Sequence, residues 1–309
     1  MTTQQIPRVL LLGTRGVFSR APLLALIEGG VEVRAVVVSA PGQVFPAPAP
    51  IRELSAPGAV PGALPLLQQE AEESVMEIAW ERGIPVLEVA SLHDAEAVAT
   101  LASYNVDVLC VACFPLRLPR QVLELPPLGC LNVHPSLLPK NRGPVPLFWT
   151  FRAGDRTTGV SVHLMTDDLD GGDILEQAPI EVPDGIVGEE MDRRCSALGG
   201  HLLLKAVRNL AAGTARRTCQ DSEHASYHGW PSAEDFEVPT WWSARRAFGF
   251  IRGISDWGRP AVLVVGQERF EVRAALDYLE GETLHAPYVR EGSALRVQLS
   301  PGVLRVEIG

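Results

Sequence analysis

A strand, a helix and a second strand follow one another within the first 38 residues, and this pattern limits the fold more than any other feature. Arg8–Gly13 and Val31–Val38 are short apolar runs, typical of strands that are buried on both faces. Pro22–Glu28 lies between them, carries an apolar stripe and is followed by Gly29 and Gly30. A strand–helix–strand unit of this length predicts a parallel sheet, so the expected fold class is α/β.

The alternation continues through the first two thirds of the chain and predicts a Rossmann-like parallel sheet. We predict further strands at Ile84–Val89, Val106–Cys113, Gly129–Val133, Gly159–Met165 and Ile174–Val182. The predicted helices are Glu72–Arg82, Asp94–Ser103, Pro119–Leu125 and Glu189–Ala211. Residues 41–65 interrupt this pattern with seven prolines, which predict a long loop without any regular element.

The texture of the sequence changes after Gly213. Residues 214–240 are polar and rich in turn formers, and from Ala261 onward short alternating runs are separated by turn residues. Such runs are typical of a small β domain, either a sandwich or a barrel. A chain of 309 residues is long enough for two domains. We therefore expect a catalytic domain at 1–205, a linker at 206–240 and a small β domain at 241–309.

Charge and cysteine usage narrow the classes of function. The net charge of −10 provides no global attraction for nucleic acid, so any such contact needs a local basic patch. The five scattered cysteines are typical of reduced thiols, and the Cys110-x-x-Cys113 pair lies in an apolar run that favours simple burial in a strand. No apolar run reaches the length of a membrane span, and residues 1–8 do not resemble a signal peptide. These features predict a cytoplasmic protein without membrane contact.

One segment carries residues suited to acyl chemistry. Asn132 and His134 stand at the end of a predicted buried strand, where open α/β sheets bind their ligands. Residues two apart in an extended strand point to the same side. An amide can donate to a developing oxyanion, and a neighbouring imidazole can donate or accept a proton. Asp170, in a glycine-rich acidic loop between two predicted strands, is placed to orient that imidazole.

Structural roles compete with these assignments. A single histidine is more often a satisfied structural residue than a catalytic one, and the acidic loop is compatible with an ordinary turn. The loop does not match the twelve-residue calcium pattern. Gly13–Gly16 has the spacing G-x-x-G, which matches only part of the dinucleotide-binding fingerprint. The remaining histidines lack metal-binding spacing and are expected to be structural or exposed; they are His93, His163, His201, His224, His228 and His285.

The stretch Asn132-Val-His134-Pro-Ser-Leu-Leu-Pro139, together with Arg142-Gly143, Thr158-Gly159 and Leu169-Asp170-Gly-Gly-Asp173, resembles the folate-dependent formyltransferases. The methionyl-tRNA formyltransferases are the type it resembles most. The order and spacing of these motifs agree over nearly the whole chain. The resemblance implies a formyltransferase domain followed by an OB-like β domain.

The resemblance also implies an activity and a site. The co-substrate would be 10-formyltetrahydrofolate, without a metal, and the catalytic residues would be Asn132, His134 and Asp170. The folate site would be formed by two loops and the segment that follows the catalytic strand. Its residues are Phe114, Pro115, Leu116, Ser136, Leu137, Leu138, Pro139 and Asp168.

The amine that accepts the formyl group stays open at this point. Overall architecture favours an aminoacylated initiator tRNA. Residues 41–72, however, contain one base, Arg52, against three acids, and residues 206–309 contain 12 arginines and no lysine against 13 acids. A tRNA-binding protein normally has a clustered basic surface. A small amine such as an amino-sugar nucleotide is therefore a second candidate acceptor, and a non-catalytic folate-binding or interaction protein is a third hypothesis.

Overall fold

Eight strands of the described chain form one large β-sheet. The computed structural model describes residues 6–41, 49–56 and 73–309. The strands, in chain order, are β1 (Arg8–Gly13), β2 (Glu32–Ser39), β3 (Ile51–Leu54), β4 (Val86–Val89), β5 (Val108–Ala112), β6 (Cys130–His134), β7 (Thr157–Leu164) and β8 (Ile174–Glu181). Their spatial order is β3-β4-β2-β1-β5-β6-β7-β8. The five strands β4, β2, β1, β5 and β6 pair in parallel, which confirms the predicted α/β class.

Helices alternate with the strands along the chain, and several helices begin at residues with clear capping signals. The helices are α1 (Arg20–Glu28), α2 (Val75–Glu81), α3 (Ala95–Ser103), α4 (Arg120–Leu123), α5 (Pro146–Ala153), α6 (Gly188–Ala211) and α7 (Ala244–Gly253). Short 3₁₀ helices occur at Val17–Ser19, Ser222–His224 and Ala233–Phe236. Ser74 and Glu77 form a reciprocal capping box at the start of α2. The carboxylate of Asp94 accepts a hydrogen bond from the Glu96 N–H at the start of α3.

The centre of the sheet is buried on both faces. All five residues of β5 are buried, as are five of the six residues of β1. Leu10, Leu12, Leu109 and Val111 belong to one apolar cluster on one side of these strands, which also includes Leu101 of α3. Continuous apolar runs in the sequence therefore correspond to strands that are covered on both sides, as expected for a parallel sheet.

The prediction of a long loop at residues 41–65 is wrong at its centre. Ile51–Leu54 form strand β3, which pairs antiparallel with β4 at the edge of the sheet. A strand at an edge needs hydrogen bonds along one side only, so prolines can flank it without breaking the sheet. Pro50 precedes its first residue, and Ile51 buries its side chain. The other prolines of this stretch mostly lie outside the described residues.

A glycine in α6 lets this helix approach the strand that carries the predicted catalytic residues. A Cβ atom at Gly199 would lie 2.5 Å from Cγ1 of Val133, which no real side chain could tolerate without movement. Val133 stands between Asn132 and His134 in β6. The close approach of α6 therefore covers one face of β6 and fixes the position of that strand.

A second sheet occupies the C-terminal third of the chain. Its strands are β9 (Glu237–Pro239), β10 (Ala261–Val265), β11 (Glu268–Leu279), β12 (Tyr288–Glu291), β13 (Ala294–Gln298) and β14 (Val303–Ile308). They lie in the order β12-β13-β14-β11-β10-β9, antiparallel except for the β9–β10 pair. Helix α7 packs against β11 and β14. The predicted second β region is thus confirmed.

The described residues group into two compact units that are not simple consecutive segments. The first unit contains the described parts of Met1–Pro139, Val160–Ala178 and Cys195–Glu223. The second contains Lys140–Gly159, Pro179–Arg194 and His224–Gly309. The division into a catalytic domain at 1–205, a linker at 206–240 and a β domain at 241–309 stays a prediction.

The five cysteines, all within the described ranges, are free thiols. Burial raises the pKa of the Cys110 thiol in β5 and raises that of Cys130 in β6 to about 12. Cys113 differs from the expected simple burial, because it lies just beyond the end of β5, is exposed and has a φ of 56°. None of the helices in the described ranges combines the length and the apolar character needed to cross a bilayer.

Candidate active site

Strand β6 positions two of the three predicted catalytic residues. Asn132 and His134 lie two residues apart near its carboxyl end, next to β5 on one side and β7 on the other. In the β6–β7 register, Asn132 is opposite His163 and His134 is opposite Ser161. The side chain of His134 is almost fully buried. A buried imidazole held between two strands keeps a fixed orientation, which suits a residue that must meet a substrate in one geometry.

The loop after β7 brings the third residue to the same place. The Asp170 carboxylate is buried; its Oδ1 lies 3.4 Å from Nδ2 of Asn132 and its Oδ2 lies 3.8 Å from Nδ1 of His134. The structure therefore brings the three predicted residues together. The 3.4 Å contact is a long hydrogen bond, and the 3.8 Å separation is an ion-pair distance rather than a hydrogen bond.

The loop around Asp170 is held by the backbone and by a buried amide. Asp170 has a φ of 53°, a left-handed conformation that aspartate adopts more readily than most residues. The Nε2 of Gln220 donates to the carbonyl oxygens of both Asp170 and Gly172, at 2.7 Å each. These bonds fix the turn that presents the carboxylate to β6.

His163 is a member of this cluster that the sequence analysis did not select. Its Nε2 lies 3.3 Å from Nδ2 of Asn132 and 3.5 Å from Oδ1 of Asp170. Its ring stands nearly perpendicular to that of His134, with the centroids 6.3 Å apart. The signal was available only through strand pairing, because His163 comes opposite Asn132 once β6 and β7 are aligned as antiparallel neighbours.

The segment Ser136–Pro139, predicted to line a folate site, is tied to β7 and β8. The Oγ of Ser161 donates to the Ser136 carbonyl at 2.6 Å and accepts from the Leu138 N–H at 3.1 Å. The Nε2 of Gln177 donates to the Leu138 carbonyl at 2.9 Å and to the Ser161 Oγ at 2.8 Å. Ser136 and Leu138 are buried, whereas Leu137 is partly exposed. The segment thus forms a fixed rim beside the cluster.

The two loops predicted to hold the folate ring are joined by a hydrogen bond. Phe114 and Leu116 follow β5 and pack partly against the core, and Pro115 between them is exposed. Arg117 donates to the carbonyl oxygen of Asp167, next to the exposed Asp168, at 2.9 Å. The loop after β5 and the acidic loop therefore meet, and both lie in the same unit as the catalytic cluster.

The cluster can bind a carbonyl group and manage a proton. Asn132 offers an amide donor, His134 an imidazole and Asp170 a carboxylate near the end of a buried strand. The second imidazole, that of His163, lies beside the amide and the carboxylate. Within the described ranges, no group of three His, Cys, Asp or Glu residues is arranged to hold a metal ion. The side chains present thus suit acid–base and oxyanion chemistry.

Comparison with known proteins points to one family. A family model described as formyl transferase matches residues 55–207. The methionyl-tRNA formyltransferase of Marinobacter nauticus is 32% identical over 235 residues, covering 75% of this chain and 75% of that protein. The protein belongs to the formyltransferase family. The methionyl-tRNA formyltransferase of Clostridioides difficile is 34% identical over 183 residues, covering 59% of each chain. The chain therefore spans about three fifths of the length of that relative.

A solved structure of low sequence identity has a similar fold. The N-formyltransferase from Helicobacter canadensis, in complex with folinic acid and dTDP-3-aminofucose, matches with a TM-score of 0.65. The identity is 13%, and the match covers 97% of this chain and 98% of that one. Such a match shows a shared fold over almost the whole chain.

Proposed function

We propose that this formyltransferase moves a formyl group from 10-formyltetrahydrofolate to a primary amine, with Asn132, His134 and Asp170 as the catalytic residues. The observation that carries this proposal is the position of the Asp170 carboxylate, which lies beside both the Asn132 amide and the His134 imidazole at the end of β6. Membership of the formyltransferase family supports the donor. The five free thiols fit a cytoplasmic location.

The reaction requires one bond to form and one to break at the formyl carbon. The lone pair of the unprotonated amine attacks this carbon and creates a tetrahedral oxyanion. The bond between the carbon and the folate nitrogen then breaks, and that nitrogen takes up a proton that leaves the amine. Each step moves charge at a place where a fixed donor or acceptor can stabilise it.

The side chains have separate roles in this scheme. The Nδ2 of Asn132 donates to the developing oxyanion, and such a donor typically contributes about a hundred- to a thousand-fold in rate. His134, when protonated, donates to the same oxygen and relays the proton. The carboxylate of Asp170 stabilises the charged imidazole. Proton transfer by a positioned group contributes about a further hundred- to ten-thousand-fold.

Ser136, Leu137, Leu138 and Pro139 form the proposed rim of the folate site. Phe114, Pro115, Leu116 and the loop at Asp168 form its other walls. The bonds from Ser161 and Gln177 that fix the rim support this assignment, because a donor must be held in one position for attack on its formyl carbon. No metal is part of the proposal.

The first candidate acceptor is an aminoacylated initiator tRNA, which would place the protein in protein biosynthesis. The support comes from relatives that are named methionyl-tRNA formyltransferases at 32% and 34% identity.

A small amine such as an amino-sugar nucleotide is the second candidate, and one contact favours it. Arg52 is the single base between residues 41 and 72, and its guanidinium forms an ion pair with the buried carboxylate of Glu88. That guanidinium is therefore not a free phosphate ligand.

The test is transfer of a labelled formyl group from 10-formyltetrahydrofolate to three acceptors: methionyl-tRNA, an amino-sugar nucleotide and water. Labelling of the tRNA with a steep salt dependence would support the first acceptor. Labelling of the amino sugar alone would support the second. Asp170→Asn should abolish labelling of either acceptor but retain folate binding. Activity that stays unchanged in this variant would overturn the catalytic assignment, and folate binding without any transfer by the wild type would support a binding protein.

A further inference from the structure

Three arginines line a cleft in the second unit. None of the lining residues is one of the proposed catalytic residues. The cleft has a volume of about 400 Å³ and is lined by residues of the second unit alone. Arg252 comes from the end of α7, Arg259 from the loop before β10 and Arg273 from β11. Glu271 is the one acidic side chain among the lining residues. The lining side chains therefore sum to two positive charges, in a protein whose net charge is −10.

These three arginines differ from many others in the same unit. Arg245, Arg269, Arg296 and Arg305 each lie within ion-pair distance of a carboxylate. Among the described residues, no carboxylate pairs with the arginines of the cleft. Placing several unpaired charges of one sign in a single cleft raises the free energy of the empty protein, because like charges repel. An anionic ligand would remove this cost.

The arginines also hold positions that suit recognition of a bound group. The Nε of Arg252 donates to the Gly185 carbonyl at 2.5 Å, which anchors its head. The guanidinium of Arg259 lies over the ring of Phe236, 5.4 Å from its centroid. Anchored guanidinium groups lose less entropy when they bind an anion than mobile side chains do, and their planar forks match phosphate oxygens.

The walls and the size of the cleft indicate what accompanies the anion. Val187, Pro260 and Ala274 supply accessible apolar surface along the cleft. A sphere of its volume is about 9 Å across, which is comparable to one Debye length at physiological salt. Sites for small molecules typically measure about 300–1,000 Å³ and combine apolar walls with a few polar groups. The size fits a compact charged molecule better than a track along a nucleic-acid strand.

From these observations we infer that the cleft binds a nucleoside diphosphate. The diphosphate would contact Arg252, Arg259 and Arg273, and the base would lie against the apolar wall. Two to three negative charges on the diphosphate match the two positive charges of the lining. This site is independent of the proposed formyl transfer, since it shares no residue with Asn132, His134 and Asp170.

The test is isothermal titration calorimetry of the full-length protein with ADP and UDP, and with adenosine as the uncharged probe. At least one nucleotide should bind, adenosine should bind at least tenfold more weakly, and Arg273→Ala should weaken nucleotide binding about tenfold. Arg259→Ala provides a second variant of the cleft. Arg305→Ala is the matched control, because Arg305 pairs with Asp277 on the same sheet, and it should bind as the wild type does.

Two further controls separate this site from the catalytic one and from nucleic acid. Asp170→Asn should retain nucleotide binding, whether or not it transfers formyl groups. Nucleotide binding that survives both Arg273→Ala and Arg259→Ala, or the absence of binding by ADP and UDP, would overturn the inference. A 20-nucleotide RNA that binds more tightly than ADP and loses affinity in Arg273→Ala would also overturn it, since the cleft would then be part of an RNA-binding surface.

Discussion

Asn132 and His163 face each other across strands β6 and β7, with Nδ2 of the amide 3.3 Å from Nε2 of the imidazole. The other ring nitrogen of His163 lies 2.9 Å from the carbonyl oxygen of Leu164, which can only accept a hydrogen bond. In the neutral ring Nδ1 therefore carries the proton and Nε2 accepts from Asn132. The Asp170 carboxylate, which also only accepts, faces the same amide nitrogen. Both neighbours thus hold the Asn132 nitrogen in the resting site, and the N–H that makes the longer contact with Asp170 is the one that would turn to a developing oxyanion.

This arrangement predicts that His163 positions Asn132 for catalysis. His163→Leu removes the acceptor and should lower kcat about tenfold, because the amide is no longer held where an oxyanion donor must lie. His163→Gln retains an acceptor oxygen and should recover part of the loss. Steady-state kinetics over a pH range would measure both variants, with the folate KM little changed. Equal activity in the two variants, or an effect on KM alone, would argue for a merely structural role.

The proposed proton relay predicts that His134→Ala folds normally but loses at least a hundredfold in kcat. The variant removes an imidazole beside Asp170 and leaves the strand pairing of β6 intact. Formyl-transfer assays and circular dichroism would be run side by side. His201→Ala, on an exposed position of α6, is the control and should match the wild type. Substantial turnover by His134→Ala would contradict the mechanism.

The sequence predicted the large sheet well because burial on both faces leaves an unbroken apolar run, as in β1 and β5. It failed where local signals oppose the tertiary outcome. Strand β3 lies among prolines and is stabilised by one neighbour, β4, which is distant in the chain. Helix α5 begins at Pro146, a residue that suggests a loop but is favoured at a first helical position.

Some residues of the site could likewise be predicted from the sequence, and others could not. Asn132, His134 and Asp170 were predicted because their motif and spacing resemble a known family. His163 was not, because its role depends on which strand lies beside β6 and in which register, and a strand pattern alone specifies neither. The hydrogen bonds from Gln220 that hold the Asp170 loop were also inaccessible, since they join residues about 50 positions apart.

The bonds of Ser161 predict a separate effect on the donor site. Ser161 is fully buried and its hydroxyl serves Ser136, Leu138 and Gln177. Ser161→Ala leaves these groups without their partner, which typically costs about 1–3 kcal/mol of stability. We expect a lower urea midpoint and a folate KM raised about tenfold, with a smaller change in kcat. Ser103→Ala, on an exposed helix end, should change neither quantity, and an unaltered KM in Ser161→Ala would contradict a rim role.

Asp192 in α6 predicts a pH-dependent stability in the second unit. Burial, followed by the charges of Asp256 and Glu189, raises the pKa of Asp192 from its ordinary value of 3.8 to about 6. Between these two values the folded protein binds a proton that the unfolded chain has released. Stability therefore falls as pH rises from about 4 to 6 and stays lower above that range. A shift of about two units corresponds to roughly 3 kcal/mol at most.

The change that tests this is Asp192→Asn, which removes the ionised form without changing the shape of the side chain. Urea unfolding should show a gain of about 1–3 kcal/mol at pH 8 and a clearly smaller gain at pH 4.5, where the wild-type carboxyl is still protonated. Asp94→Asn is the matched control, because an asparagine caps α3 as well as an aspartate does. A gain that is equal at both pH values would mean that packing around Asp192, rather than its ionisation, limits stability.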